Sequence, residues 1–159
     1  MSSYYDDIAP GYNELHGEEQ RKKYRIIAQQ LQLSRDAEVL DVGAGTGVGH
    51  DIIPSLGIDP APELIKQHPN TESIVGIAEA LPFPSGSFDA AICVTAIHHT
   101  DYKQAIAEML RVSRGPIAIT LLKKSPKAQE ILHYALRHLV PLQIIEEEKD
   151  YICIHRRKA

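Results

Sequence analysis

Val39-Leu40-Asp41-Val42-Gly43-Ala44-Gly45-Thr46-Gly47-Val48-Gly49 decides how this chain folds. Val39, Leu40 and Val42 form an apolar, β-branched run of the kind that suits a buried parallel strand. Asp41 stands near its end, and glycines follow at every second position from 43 to 49. Lacking a Cβ, the backbone there can turn sharply and come close to a ligand. Open α/β sheets bind nucleotides at such a strand-to-loop junction. The spacing narrows the choice of ligand. A dinucleotide loop needs G-x-G-x-x-G, but the sixth position is Val48 counted from Gly43 and His50 counted from Gly45. A phosphate-binding loop needs a Lys followed by Ser or Thr after the last glycine, and this chain has neither there.

What remains is acidic-x-Gly-x-Gly-x-Gly over Asp41–Gly47. It resembles the first motif of the class I S-adenosylmethionine (SAM)-dependent methyltransferases. The ligand chemistry is consistent: SAM offers an ammonium, a carboxylate, a sulfonium, a ribose and an adenine, and no phosphate. An acid beside the loop suits the ammonium, and bare backbone N–H groups suit the carboxylate. The resemblance runs in register from about Tyr4 to Leu122. Leu56-Gly57-Ile58-Asp59-Pro60-Ala61 looks like a second strand ending in the acid that takes the ribose hydroxyls, since a carboxylate accepts several hydrogen bonds. Gly76-Ile77-Ala78-Glu79-Ala80-Leu81-Pro82-Phe83, followed by Ser87-Phe88-Asp89, is similar to the adenine loop and fourth strand of the ubiquinone/menaquinone-methyltransferase-like, small-molecule branch. Thr95-Ala96-Ile97-His98-His99 matches the segment near the methyl group in that branch. The resemblance therefore implies cofactor contacts from Tyr12, Asp41, Gly43, Ala44, Gly45, Thr46, Gly47, Asp59, Pro60, Glu79, Ala80, Leu81 and Thr95. His98 or His99 is the candidate base, because imidazole titrates near neutral pH.

Two departures stand out. Ile77 occupies the position of the Asp that bonds the adenine amino group, and Ile accepts no hydrogen bond; the contact comes from Glu79, from backbone, or not at all. The chain from Gly47 to Asp59 is short. Val48–Ser55 holds a glycine, a proline and two isoleucines, all poor in a helix interior. Parallel strands need a crossover of about a dozen residues, which 43–55 barely supplies. The first crossover helix is expected to be reduced or missing, and the N-terminal helix or a second subunit must cover that sheet face.

The rest of the chain alternates strands and helices. Helices are expected over Gly17–Leu33, Pro62–Gln67, Asp101–Val112 and from Ser125-Pro126 onward. Strands are expected over 37–42, Ser73–Ile77, Phe88–Val94 and Pro116–Leu122. Leu142–Glu147 and Tyr151–Arg156 pair as a hairpin. The expected architecture is an α/β, doubly wound, mostly parallel seven-stranded Rossmann-like sheet ending in an antiparallel C-terminal hairpin. At 159 residues one domain over 1–159 is expected, with 1–16 as an N-terminal lid in which Tyr12 reaches the methionine part of SAM.

A net charge of −4 gives no general pull toward nucleic acid, and none is expected as a partner. No apolar run approaches the roughly twenty residues of a membrane span, so the chain reads as cytoplasmic. Cys93 and Cys153 lie in apolar runs and read as buried thiols. No zinc-ligand spacing pairs histidine with cysteine, so no metal is expected; adjacent His98 and His99 should diverge on a regular element. The implied reaction moves a methyl group from SAM to a small-molecule acceptor by in-line displacement, with S-adenosylhomocysteine as product and a homodimer possible. RNA or protein methylation, or SAM binding without catalysis, are the alternatives.

Overall fold

The computed structural model describes residues 10–157, with side chains from Gly17 onward. Helix α1 spans Pro10–Leu31. Strands β1 (Val39–Val42) and β2 (Leu56–Asp59) follow, then a single helical turn α2 (Pro62–Ile65), β3 (Ile74–Val75) and β4 (Ala90–Cys93). A 3₁₀ turn at Ile97–His99 leads into α3 (Tyr102–Val112), β5 (Ile117–Leu122), α4 (Ala128–His138), β6 (Leu142–Glu146) and β7 (Asp150–His155). The seven strands order as β3-β2-β1-β4-β5-β7-β6. The first five are parallel; β7 runs antiparallel to both β5 and β6. The expected architecture is what forms.

Alternation along the strands sorts the core into two layers. Leu40, Val42, Ala91, Cys93, Ile117 and Ile119 pack with Ala105, Ile106 and Met109 of α3 and Ile131 and Ala135 of α4. Their intervening neighbours, Val39, Ala90, Ile92, Ala118, Ile152 and Ile154, pack against α1 through Tyr24, Ile27 and Leu31. The spacing i, i+3, i+7 puts those three on one helical face.

No helix joins β1 to β2; the chain from Gly43 to Ile53 is a succession of turns. Where a crossover helix would lie there is a cleft of about 410 Å³ lined by Ala28, Leu33, Ala37, Val39, Ile52 and Ile53. Helix α1 covers the rest of that face. It begins seven residues before the expected Gly17, with Pro10 pre-setting the first turn. It ends at Leu31, and the φ of 49° at the next residue, Gln32, closes the helix while the Gln32 N–H still reaches the Ala28 carbonyl. Several other elements are shorter than the sequence suggests. β3 keeps only Ile74–Val75, and α4 starts at Ala128 because Ser125–Lys127 form a separate turn, with the Ala128 N–H donating to the Ser125 carbonyl. Asp101 caps α3 as expected, accepting from the Gln104 N–H.

Ile27 is fully buried between α1 and the sheet. Ile27→Ala is expected to lower the unfolding free energy by about 3 kcal/mol, the usual cost of an unfilled cavity plus lost transfer energy. Urea denaturation reads this directly. A cost under about 1 kcal/mol, the range of tolerated swaps, would mean that α1 is not part of the core.

Candidate active site

The glycine bend leaves the C-terminal end of β1, at the sheet's centre. Gly43, Gly45 and Gly47 all have positive φ, at 73°, 56° and 75°. They are not equivalent. A Cβ on Gly43 would meet the Ala96 Cβ at 2.5 Å, and one on Gly47 would meet the His68 ring at 2.7 Å. Only at Gly45 is there room, with the Leu64 Cδ1 at 3.8 Å as the nearest atom. Gly45 is therefore where a ligand can approach bare backbone.

The loop's N–H groups are not bare, contrary to expectation. Gly43 and Ala44 donate to the Ile58 carbonyl at 2.8 and 3.1 Å, and Gly47 donates to the Ala44 carbonyl at 3.0 Å. Gly45 donates to Asp59 Oδ2 at 3.0 Å. The loop is tied to β2 in place of the missing helix. Among the described residues, the N–H of Thr46, at the exposed tip, has no protein partner.

Asp41 is almost wholly buried. Its Oδ2 accepts a 2.6 Å hydrogen bond from the Tyr24 hydroxyl, while Oδ1 has no partner. Burial pushes the carboxyl up to about 7 despite the Tyr24 bond, and the negative charge of nearby Asp59 adds to the rise. An unpartnered buried oxygen beside a second carboxylate is a place for a cation. Asp59 ends β2; its Oδ1 accepts from the Ala61 N–H at 2.9 Å, and each of its oxygens keeps a further lone pair. Pro60 is exposed beside it.

Glu79, Ala80 and Leu81 lie on the loop after β3. Glu79 Oε2 accepts from the Asp101 N–H at 2.9 Å, and the Leu81 N–H donates to Glu108 Oε1 at 2.9 Å. These bonds pin the loop to the start and middle of α3. Ile77 is half-exposed. Tyr12 lies in the first turns of α1, and its side chain is outside the described residues, as is most of the expected lid.

Thr95 lies two residues beyond β4, with φ at 55°. His98 and His99 sit on the 3₁₀ turn with ring centroids 4.0 Å apart and tilted 45°. They do not diverge, because the tight turn brings consecutive side chains together. His98 is half-buried and its Nδ1 is unpartnered. Burial lowers its pKa to about 4, with His99, Lys127 and Lys23 adding like-charge repulsion. At neutral pH it is an uncharged acceptor. No group of three or more metal-ligating side chains occurs among the described residues. Both cysteines are free and buried, and burial pushes Cys153 up to about 12.

NMR of the imidazole should show His98 titrating near pH 4. Because its folded pKa is depressed, its contribution to stability is complete above about 6.5 and is lost as pH falls toward 4. A midpoint near 6.5 would show that the turn is open to water.

Three neighbours of this site escape a reading of the motif alone: Tyr24, Lys23 and Asp150. Lys23 Nζ bonds Thr95 Oγ1 at 2.7 Å and lies 3.1 Å from Asp150 Oδ1. A signal for the first two was present. Gln20, Lys23, Tyr24 and Ile27 follow the spacing i, i+3, i+4, i+7 and so share the inner face of α1.

The sequence pattern of a family described as a methyltransferase domain matches residues 40–116, from β1 to the start of β5. The chain is 30% identical over 128 residues to a demethylmenaquinone methyltransferase of Renibacterium salmoninarum, covering 72% of this chain and 54% of that protein. It spans about half the length of the curated relatives it matches. Its fold is similar to that of the methyltransferase solved with the Trm112 methyltransferase activator of Haloferax volcanii. The TM-score there is 0.77 at 13% identity, over 99% of this chain and 97% of that one. It is also similar to magnesium protoporphyrin IX methyltransferase from Synechocystis, solved with bound SAM, with a TM-score of 0.67 at 12% identity over 89% and 80% of the two chains. With the parallel sheet, the glycine bend and the paired carboxylates, these matches support a class I SAM-dependent methyltransferase family for the chain.

Proposed function

We propose that this chain binds SAM at the glycine bend and directs its methyl group to a small-molecule acceptor. The observation that carries the reading is the unpartnered Asp41 Oδ1, buried at the base of the Gly43–Gly47 bend, within which Gly45 is the one position where an added Cβ would meet no clash. SAM supplies an activated methyl group on a sulfonium. The chain's task is then to bind, align and keep water out, and alignment of this kind is worth about 7–11 kcal/mol. Asp41 holds the ammonium, the Thr46 N–H and the Gly45 backbone face the carboxylate, and Asp59 takes the ribose hydroxyls. Glu79, Ala80 and Leu81 border the adenine. Thr95 and the His98 turn face the acceptor, and neutral His98 can accept a proton where the acceptor is an O–H or carbon acid.

Support for a small acceptor is twofold. Val94-Thr95-Ala96-Ile97 stands after β4 in place of the Asn-Pro-Pro-Tyr-type sequence used on amino groups of macromolecules. The demethylmenaquinone methyltransferase similarity points the same way.

Calorimetry with SAM tests the premise. Binding in the micromolar range, about −8 kcal/mol, is expected for the wild type. Gly45→Val should abolish it, since valine tolerates φ of 56° poorly and its side chain fills the open space. Retention of NAD or ATP with no response to SAM would overturn the reading. Methyl release into metabolite, RNA and protein pools then ranks the acceptors.

A further inference from the structure

Helix α1 meets the C-terminal edge of the sheet through a buried polar cluster centred on Thr95. Lys23 Nζ donates to Thr95 Oγ1 at 2.7 Å and to Gln20 Oε1 at 2.8 Å, and faces Asp150 Oδ1 at 3.1 Å. Thr95 Oγ1 donates to Gln20 Oε1 at 3.0 Å, and the Thr95 N–H donates to Thr120 Oγ1 at 2.7 Å. Gln20, Lys23, Thr120 and Asp150 are all buried. The cluster joins α1, β4, β5 and β7 at one point.

That point is a strained one. Thr95 is β-branched and has φ of 55°. Such a conformation costs about 1–3 kcal/mol and persists only where the surroundings over-determine it. Every polar group of Thr95 that a hydrogen bond reaches here is held by this cluster. Three residues later the same turn presents His98. Stability alone does not account for the ion pair, because a buried Lys–Asp pair is often replaceable by apolar residues without loss. Its location does: it braces the one left-handed residue between β4 and the candidate base.

We propose that Lys23, anchored on Asp150, is a positioning residue that holds Thr95 in its left-handed conformation and so sets the Ala96–His99 turn against the acceptor side of the site. What the turn faces rests on the methyl-transfer reading; how it is held does not.

The test uses the ligand-free full chain. Lys23→Met leaves Asp150 buried and unpaired and can unfold the protein, so the double variant Lys23→Met/Asp150→Asn is compared with it, with Lys23→Arg as the charge-conserving control. NMR reads the Thr95 Cα and Cβ shifts, Thr95 amide exchange, and the pH titration of the His98 imidazole. In the double variant, Thr95 is expected to leave the left-handed shift range. Its amide should exchange at least about tenfold faster, as for a locally opened segment, and the His98 midpoint should rise. Lys23→Arg should keep wild-type values. A double variant that folds and retains either the Thr95 signature or the His98 midpoint overturns the proposal. Absence of SAM binding by the wild type would sink the methyl-transfer reading and leave the Thr95 result standing.

Discussion

Asp41→Asn is expected to do two opposite things at pH 8: stabilise the ligand-free protein and cut SAM affinity about a hundredfold. Both follow from one buried carboxyl. In the folded protein its pKa is raised to about 7, chiefly by desolvation. A carboxyl raised above its unfolded value contributes stability that is complete below about pH 4 and is lost as pH climbs through 7. A tenfold change in ionisation constant between the unfolded and folded chain corresponds to about 1.4 kcal/mol, so the ionised form at pH 8 costs the fold on the order of a few kcal/mol. Asparagine resembles the neutral form and still accepts from the Tyr24 hydroxyl. The variant should therefore melt higher than the wild type at pH 8, and the difference should vanish near pH 4. Binding runs the other way. A charge-assisted bond to a buried partner is worth about 1.5–3 kcal/mol, or roughly a hundredfold in Kd at the upper end. Wild-type affinity should also rise with pH through 7, with proton release on binding at pH 6. A variant that melts lower at pH 8 and binds SAM as the wild type does would mean that Asp41 is a structural acid, serving only to anchor Tyr24.

The mostly parallel sheet and its hairpin were legible because they rest on two periodicities, β-branched runs and a helical apolar face, which local sequence shows plainly. The missing crossover helix was legible too, since Gly49, Pro54 and two isoleucines argue against a helix. What covers the exposed face was less so. Helix α1 reaches back to Pro10, through a stretch of mixed polarity in which Gly11 and Gly17 argue against a helix. The groups of the candidate site were legible one by one, and their arrangement was not. Asp41, Asp59 and the glycine bend do converge, but the bend satisfies most of its own N–H groups on Ile58, Asp59 and Ala44. Such bonds depend on how β1 and β2 pair in register, which the motif does not encode. The same is true of Asp150, brought to Lys23 from 127 positions away along the chain by the β5–β7 pairing.

Gly49 is where motif and packing part company, and Gly49→Ala is expected to cost about 3 kcal/mol, the upper part of the range for forcing a methyl into a filled core. The alternating pattern suggests a fourth ligand-facing glycine. In the structure Gly49 is buried and a Cβ there would run into the Tyr24 ring. Tyr24 cannot retreat cheaply: its ring packs among Val39, Ile92 and Val94, and its hydroxyl is bound to Asp41. The glycine thus lets α1 sit against the shortened loop, beside the cleft left by the missing crossover helix. Urea denaturation of Gly49→Ala, Tyr24→Ala and the double variant isolates the clash. With the ring gone, the glycine substitution should cost less than about 1 kcal/mol, giving a coupling of about 2 kcal/mol between the two sites, in the range for residues in direct contact. Equal costs in both backgrounds would place the role of Gly49 in the backbone of the loop and not beneath Tyr24.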